Sequence, residues 1–147
     1  MKIKNTRDTM SDTYYDALKI RHQVFIVEQG ISYTLEMGSS VDEAKSIHFV
    51  LYDDREKACA TCRLLSQESS SLASLQRMAV LKEERGKGYA KLLVKAAIDF
   101  AKDHEITEIL LHAQISAQGL YEKLDFSPEG EIFEEAGIQH ITMRKVI

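Results

Sequence analysis

The segment that decides the fold is MAVLKEERGKGYA, residues 78–90. It begins as an apolar β-strand and ends as the start of a helix, so Gly86 and Gly88 lie in the short loop between the two. Glycine lets the backbone come close to a ligand, and the first N–H groups of a helix have no partner within the helix. Such a loop binds phosphate, and Arg85 and Lys87 add positive charge. The alternative is a tight strand-to-helix turn without a ligand.

Two common phosphate-binding motifs do not fit this loop. A Walker loop ends in Gly-Lys-Ser/Thr, whereas Gly88 is followed by Tyr89. A dinucleotide-binding fingerprint has a third glycine or an alanine three residues further on, where this chain has Lys91. Neither motif therefore accounts for this loop.

The apolar pattern predicts helices and strands along the chain. From Tyr89 to Ala101, apolar residues recur at helical spacing and lysines fill the other face, which is typical of an amphipathic helix. The other predicted elements are a strand at 2–7, a helix at 12–28, a loop with a short helix at 30–43, strands at 47–52, 58–66, 72–80 and 109–111, a helix at 116–124, and strands at 131–133 and 138–146. Serines 69–71 predict a loop tip. This order predicts an α+β fold, with a mixed, mostly antiparallel sheet flanked by helices, in a single domain of residues 1–147.

Composition and charge exclude several classes of function. The chain has 147 residues and a formal net charge of −4, which gives no basic footprint for nucleic acid. It lacks an apolar run of about 20 residues, the length of a membrane span, and residues 1–10 lack the apolar core of a signal peptide. Two cysteines are too few for a disulfide framework. We therefore expect a cytoplasmic protein that binds neither nucleic acid nor a membrane.

Two blocks of sequence resemble the GNAT superfamily of acyl-CoA-dependent N-acyltransferases. Residues 85–90, RGKGYA, are similar to its signature Arg/Gln-x-x-Gly-x-Gly/Ala, which opens a helix after a strand. The family also carries Asn-x-x-Ala-x-x-x-Tyr-x-x-x-Gly-Phe, matched here by Gln114, Ala117, Tyr121, Asp125 and Phe126. Gln114 keeps an amide in place of Asn, and Asp125 tolerates a left-handed backbone better than most residues. Residues 21–30 and 137–143 resemble the ElaA-like branch of the family.

The resemblance implies an N-acetyltransferase with acetyl-CoA as co-substrate. The loop amides would hold the pyrophosphate of CoA, and the preceding strand would bind the pantetheine arm. The implied cofactor-binding residues are Met78, Ala79, Val80, Arg85, Gly86, Lys87, Gly88, Tyr89, Ala90 and Gln114. Tyr121 would give a proton to the thiolate leaving group, unless it is a core residue. The acetyl group would pass directly to a primary amine in a ternary complex, with no metal.

The acceptor and the general base stay open. The acceptor is expected to be a small-molecule or peptide amine, and the acidic composition favours a cationic one. The base candidates by residue type are Glu28, His48, His112 and His140, since histidine titrates near neutrality. Each could be structural, and a water could act instead. A homodimer is one alternative for the oligomeric state. The rival functions are an acyl-CoA-binding module without catalysis and a nucleotide-phosphate binder.

Cys59 and Cys62 form a CxxC pair that favours neither zinc nor redox chemistry. Zinc needs a second pair of ligands at suitable spacing, and a redox pair lies at the start of a helix. This pair lies in a predicted strand, where residues three apart face opposite sides, so we expect both cysteines to be structural. The lysines at 91, 95 and 102 are expected to form a solvated helix face.

Overall fold

A seven-stranded mixed sheet forms the centre of the computed structural model, which describes residues 1–66 and 70–147. Its strands are β1 (Lys2–Thr6), β2 (Ile47–Tyr52), β3 (Ala58–Ser66), β4 (Leu72–Val80), β5 (Glu108–Gln114), β6 (Ser127–Glu135) and β7 (Ile138–Val146). Their spatial order is β1-β2-β3-β4-β5-β7-β6. Neighbours are antiparallel except β4 and β5, which are parallel. The predicted α+β fold with a mixed, mostly antiparallel sheet is therefore confirmed.

Helices flank this sheet. They are α1 (Asp12–Arg21), which continues as a π-helix (His22–Glu28), α2 (Tyr33–Met37), α3 (Ser40–Lys45), α4 (Tyr89–Asp103) and α5 (Gln118–Lys123), with 3₁₀ turns at Lys82–Glu84 and Ile115–Ala117. Ser11 caps α1, because its hydroxyl accepts a hydrogen bond from the Tyr14 amide at 3.2 Å. Within residues 1–66 and 70–147, none of the helices is long and apolar enough to cross a membrane.

Several predicted boundaries differ from the observed ones. The helix predicted at 12–28 changes from α to π geometry at His22. The segment 30–43 holds two short helices, because Ser32 and Ser39 each cap a helix start with their hydroxyl groups. β6 is longer than the strand predicted at 131–133. It is an edge strand with mostly exposed side chains, so its sequence lacks the alternation that marks a half-buried strand. In the predicted loop tip at 69–71, Ser69 lies outside the described residues.

Both faces of the sheet are covered, and this explains why all six side chains of β2 are buried. The amphipathic helix α4 covers one face with Leu93 and Val94, which are fully buried in the larger apolar cluster. Burying a side chain of this size stabilises the fold by about 1.5–3 kcal/mol. Helix α1 covers the other face with Ala17 and Ile20, in a second apolar cluster.

The parallel strands β4 and β5 separate soon after they meet. They pair over only four residues each, from Leu72 opposite Glu108 to Leu75 opposite Leu111. Beyond this point β4 carries a bulge, because two of its residues lie between the pairs that it makes with Thr61 and Arg63 of β3. Arg77 lies in the bulge with a left-handed φ of 56°. The C-terminal halves of the two strands therefore diverge and open the sheet near its middle.

Candidate active site

The divergence of β4 and β5 creates a cleft with a volume of about 780 Å³. Its walls include both strands, the end of the π-helix, the start of α4, part of α5 and the turn into β7. Of the residues predicted to form the site, the structure brings to this cleft Met78, Ala79, Val80, Arg85, Ala90, Gln114 and Tyr121. The others, Gly86, Lys87, Gly88 and Tyr89, form the adjoining loop and first helical residue.

The loop has the backbone that its glycines predict. Gly86 and Gly88 have left-handed φ values of 82° and 79°, and Gly88 is the N-cap of the 15-residue helix α4. A Cβ atom built at either position would meet nothing within 4 Å, so the space beside the loop is open. An L-residue at these positions is strained because of its φ rather than because of crowding. The amides of the first turn of α4 thus adjoin the cleft, where a helix N-terminus favours an anion.

Arg85 connects this loop to the end of the π-helix. Its Nη1 and Nη2 atoms donate to the two carboxylate oxygens of Glu28 at 2.6 and 2.7 Å, and its Nε donates to the carbonyl of Val80 at 3.1 Å. The hydrogen bonds from Arg85 lower the pKa of the Glu28 carboxyl. A carboxylate that is held charged and already bonded is a poor proton acceptor, so this pair disfavours Glu28 as the general base.

Tyr121 stands in the cleft wall on α5. Its side chain is only 5% exposed, and its ring packs edge-on against Phe126 with the centroids 5.9 Å apart. Within the described ranges its hydroxyl has no hydrogen-bond partner. Burial, with a smaller effect of Cys62, raises the pKa of the phenol, which therefore stays protonated at neutral pH. It can donate a proton but cannot act as a base.

The residues around Tyr121 fit the block in which it was found. Asp125 follows α5 with a left-handed φ of 68°, and its amide donates to the carbonyl of Glu122 at 3.0 Å. The glycine of the family block is thus replaced by a residue in the backbone state that glycine favours. Gln114, at the end of β5, donates from its side-chain amide to Gln29 at 3.2 Å and links the two sides of the cleft.

The candidate histidines lie in two different places. His48 is buried away from the cleft, and its Nε2 lies 2.9 Å from the carbonyl of Glu43. Burial lowers the pKa of His48, so it is a neutral structural residue. His112 and His140 both line the cleft.

His140 has the geometry of a base. Its Nδ1 lies 2.7 Å from the carbonyl of Ile138, and since a carbonyl only accepts, Nδ1 carries the hydrogen. In the neutral ring the lone pair is then on Nε2, which lies 3.8 Å from a carboxylate oxygen of Glu135. The other oxygen of Glu135 lies 3.1 Å from Nδ1 of His112. Glu135 therefore stands between the two histidines on one wall of the cleft.

The two cysteines join the same apolar core cluster, so the prediction that they face opposite sides was wrong. The reason is a bulge: Ala58 and Ala60 pair with adjacent residues of β2, and Cys59 is the extra residue between them. Both thiols are free and buried, and burial raises the pKa of both, that of Cys59 to about 11. They are therefore poor nucleophiles, as a structural role requires.

Cys59 also lies near two carboxylates. In the described ranges, ligand atoms of Asp53, Cys59 and Glu84 lie within 4.8 Å of one another. The amino groups of Lys57 and Lys87 lie 3.2 and 2.8 Å from the Glu84 carboxylate and compete with a cation for it. That the protein needs no metal stays a prediction.

Sequence reasoning missed three charged residues of the cleft, namely Glu36, Arg77 and Glu135. The only signal for Arg77 was a charged residue within an otherwise apolar strand end. Nothing in the local sequence of Glu36 or Glu135 distinguishes them from surface glutamates.

The parallel strands β4 and β5 part beside the glycine loop, so the candidate ligand cleft opens within the sheet itself. A family model of the acetyltransferase (GNAT) domain matches residues 18–147. The uncharacterized protein YyaT of Bacillus subtilis strain 168 is 32% identical over an alignment of 149 residues, covering 100% of this chain and 97% of YyaT. The chain therefore belongs to the GNAT acetyltransferase family and is an acyl-CoA-dependent acyltransferase.

Solved structures agree with this assignment. A protein from Lactobacillus plantarum superposes with a TM-score of 0.87 at 26% identity, covering 99% of this chain and 97% of that one. ElaA of Escherichia coli superposes with a TM-score of 0.85 at 23% identity, covering 99% of both chains. The likeness to ElaA is one of fold, and it accords with the resemblance noted at residues 21–30 and 137–143.

Proposed function

We propose that the enzyme transfers an acetyl group from acetyl-CoA to a primary amine, by direct attack in a ternary complex, and that residues 1–147 form one N-acetyltransferase domain. The observation that carries this proposal is a single cleft that adjoins the glycine loop and contains the protonated hydroxyl of Tyr121 in its wall. An anion site would hold the pyrophosphate of CoA, and a proton donor would assist the departure of its thiolate.

The donor would lie along β4. From Gln76 to Val80 this strand pairs with β3 on one side but has no pairing with β5 on the other. Unpaired strand groups bind an extended ligand as a further strand. The backbone of Met78, Ala79 and Val80 is thus available to the amides of the pantetheine arm. Gln114 faces it from the other wall.

The pyrophosphate of CoA would lie at the N-terminus of α4. The residues that would hold it are Arg85, Gly86, Lys87, Gly88, Tyr89 and Ala90. Their backbone amides and the helix dipole provide the attraction, and the open space beside both glycines allows the close approach.

In the reaction, the amine nitrogen attacks the thioester carbonyl carbon and a C–N bond forms. His140 Nε2 takes the proton of the amine, because Nδ1 is already committed to the Ile138 carbonyl. The backbone N–H groups of β4 beyond Leu75 do not pair with β5 and could donate to the oxyanion. When the C–S bond breaks, Tyr121 gives its proton to the thiolate of CoA, and solvent then restores both residues.

The test measures release of the CoA thiol from acetyl-CoA with a panel of polyamines, amino sugars, amino acids and peptide amines. We expect release that depends on both protein and amine, together with formation of the N-acetylated product. A chain that binds CoA but releases no thiol with any amine would contradict the proposal.

A matched pair of variants tests the donor site. Gly88→Val should abolish the thermal stabilisation by CoA, because the new side chain strains the left-handed loop and blocks the anion. Gly130→Val introduces the same strain in edge strand β6, where φ is 78°, and should leave the effect of CoA intact. Equal stabilisation of the wild type by ATP and by CoA would count against a pantetheine site.

A further inference from the structure

We infer that the amine acceptor carries a carboxylate and that Arg77 binds it. This inference rests on the proposed amine acetylation, and it names the substrate class for the same cleft. Three observations carry it: a buried network with one more cation than anions, the unpaired donors of Arg77, and the position of Arg77 in the cleft wall.

The network lies between α1, α2, α3 and the sheet. Arg21 is 1% exposed, and it donates to Glu36 from Nε at 2.6 Å and to Glu43 from Nη1 at 2.7 Å. Arg63 is 4% exposed, and it bonds to the other oxygen of Glu43 and donates twice to the Gln76 side chain, at 2.9 and 2.7 Å. These two arginines and two glutamates therefore satisfy one another.

Arg77 is the third guanidinium, and among residues 1–66 and 70–147 no carboxylate is bound by Arg77 alone. Its Nε donates to the backbone carbonyl of Glu36 at 3.0 Å and lies 3.6 Å from the Glu36 carboxylate, which Arg21 already holds more closely. His48 adds no positive charge, because burial lowers its pKa. The group thus has three cations and two anions, and an uncompensated charge is costly in a partly buried place.

The terminal nitrogens of Arg77, Nη1 and Nη2, are available to a ligand. They make no hydrogen bond to any residue within 1–66 or 70–147. A Cβ atom on Gly38 would lie 3.3 Å from Nη2, so the glycine leaves room beside the guanidinium. The side chain is 27% exposed and lines the cleft, whereas Arg21 and Arg63 are sealed from it. Bulges often change the direction of a side chain next to an active site, and the bulge of β4 contains Arg77.

A carboxylate fits this position better than a phosphate. It supplies the single negative charge that the network lacks, and its two oxygens match the planar fork of a guanidinium. The opposite wall holds His140 and the carboxylate of Glu135, which suit the amine end of the same molecule. The acidic composition favours a cationic acceptor, but the local charge at Arg77 favours one that also bears an anion.

The experiment compares acceptors in pairs. Each pair is an amino carboxylate and its primary carboxamide, taken from α-amino acids and from ω-amino acids of increasing chain length. The kcat/KM ratio of carboxylate to carboxamide is measured for the wild type and for Arg77→Gln. Because the basicity of the amine differs within a pair but not between enzymes, the change in this ratio reports Arg77 alone.

For the preferred pair we expect the ratio to fall by about 10- to 100-fold in Arg77→Gln, the usual effect of losing a hydrogen bond to a charged group. Arg77→Lys keeps the charge and should restore part of the preference. Arg144→Gln is the matched control, since Arg144 pairs with Glu129 outside the cleft and the ratio should not change. An unchanged ratio in Arg77→Gln, or a wild-type preference for carboxamides or for aminoalkyl phosphates, would overturn the inference.

A binding measurement separates the inference from the proposed function. Calorimetry with the CoA-loaded protein compares the N-acetylated carboxylate with its carboxamide and needs no turnover. Selective carboxylate binding that Arg77→Gln abolishes would support the role of Arg77 even if no amine were acetylated. Equal binding of the two products would overturn that role even if acetylation proceeded. If Arg77→Gln does not fold, Arg77→Lys and the wild-type ratios decide the outcome.

Discussion

Arg85 and Glu28 are joined by two parallel hydrogen bonds, of 2.6 and 2.7 Å, between residues 57 positions apart in the sequence. Arg85 belongs to the glycine loop and Glu28 to the end of the π-helix. The side chains of Arg85 and Glu28 are 41% and 32% exposed, so the contribution of the pair to stability is small. Its importance is that a pyrophosphate at the loop would compete with Glu28 for the same guanidinium.

We therefore expect Glu28→Gln to bind CoA more tightly than the wild type. A partly exposed ion pair stabilises by up to about 1 kcal/mol, which corresponds to an affinity gain of up to about fivefold. Titration calorimetry measures the affinity of the wild type and of Glu28→Gln for CoA. Glu129→Gln breaks a similar pair with Arg144 outside the cleft and should not change the affinity. Weaker binding by Glu28→Gln would show that Glu28 positions Arg85 for the ligand.

Tyr121→Phe should impair chemistry more than donor binding. The hydroxyl has no partner within the described ranges, so its removal leaves no buried group unsatisfied and the melting temperature should barely change. Turnover should fall by about 10²-fold, the low end for an acid–base group, because a thiolate leaves tolerably well unaided. Steady-state kinetics and CoA affinity are measured together, with the exposed Tyr15→Phe as control. Unchanged turnover would make Tyr121 a core residue only.

His140→Asn should remove the proposed base while keeping the hydrogen bond to the carbonyl of Ile138. The asparagine amide can occupy the place of Nδ1 and donate to the Ile138 carbonyl, but no group replaces Nε2. Turnover near neutral pH should fall by about 10²-fold or more, and it should recover partly as pH rises and the amine loses its own proton. The measurement is a pH profile of kcat/KM. If His112→Asn gives the larger loss, His112 is the base.

The lowered pKa of the Glu43 carboxyl makes the stability of the fold depend on pH. Burial alone would raise the pKa of its carboxyl, but the charge of Arg21 and the hydrogen bonds from Tyr14, Arg21 and Arg63 outweigh burial and lower it. A group whose pKa is lower in the folded state contributes stability above its unfolded pKa, about 4.3, and that stability is lost as pH falls through the folded value. For this reason we expect the melting temperature to decrease as the pH is lowered from about 4.3.

Glu43→Gln should lose stability at neutral pH, by about 3–5 kcal/mol, because two buried guanidiniums lose a shared anion. Its melting temperature should then depend less on acid than that of the wild type. Thermal unfolding from pH 3 to 8 measures both effects, with the exposed Glu131→Gln as control. Parallel pH curves for Glu43→Gln and the wild type would contradict this account.

The sequence was sufficient for the fold and for the backbone of the glycine loop. The RGKGYA loop and the helix after it form a local pattern, and its glycines have the left-handed φ values that the pattern requires. Tyr121 and Asp125 are equally local, since their spacing along one helix and its end fixes their relation.

The cleft walls that carry Arg77, His112 and His140 could not be predicted, because long-range pairing creates them. Whether a histidine faces the cleft depends on register, such as Gln114 of β5 opposite His140 of β7. The bulge at Arg77 has a left-handed φ without a glycine to signal it. The carboxylate nearest to Arg77 belongs to Glu36 of α2, 41 residues away in the chain.

The four-residue pairing of β4 with β5 divides the sheet into two antiparallel parts that are joined over a short length. On one side of this seam, β1 to β4 form a continuous antiparallel run, and on the other, β5 to β7 form another. The central strands of this sheet, β4 and β5, pair over fewer residues than any other two neighbouring strands. A ligand that spans the opening would bind both halves at once, so occupancy would stiffen the protein across its middle. Amide hydrogen exchange at residues 76–80 should therefore slow more on CoA binding than exchange at the outer strands.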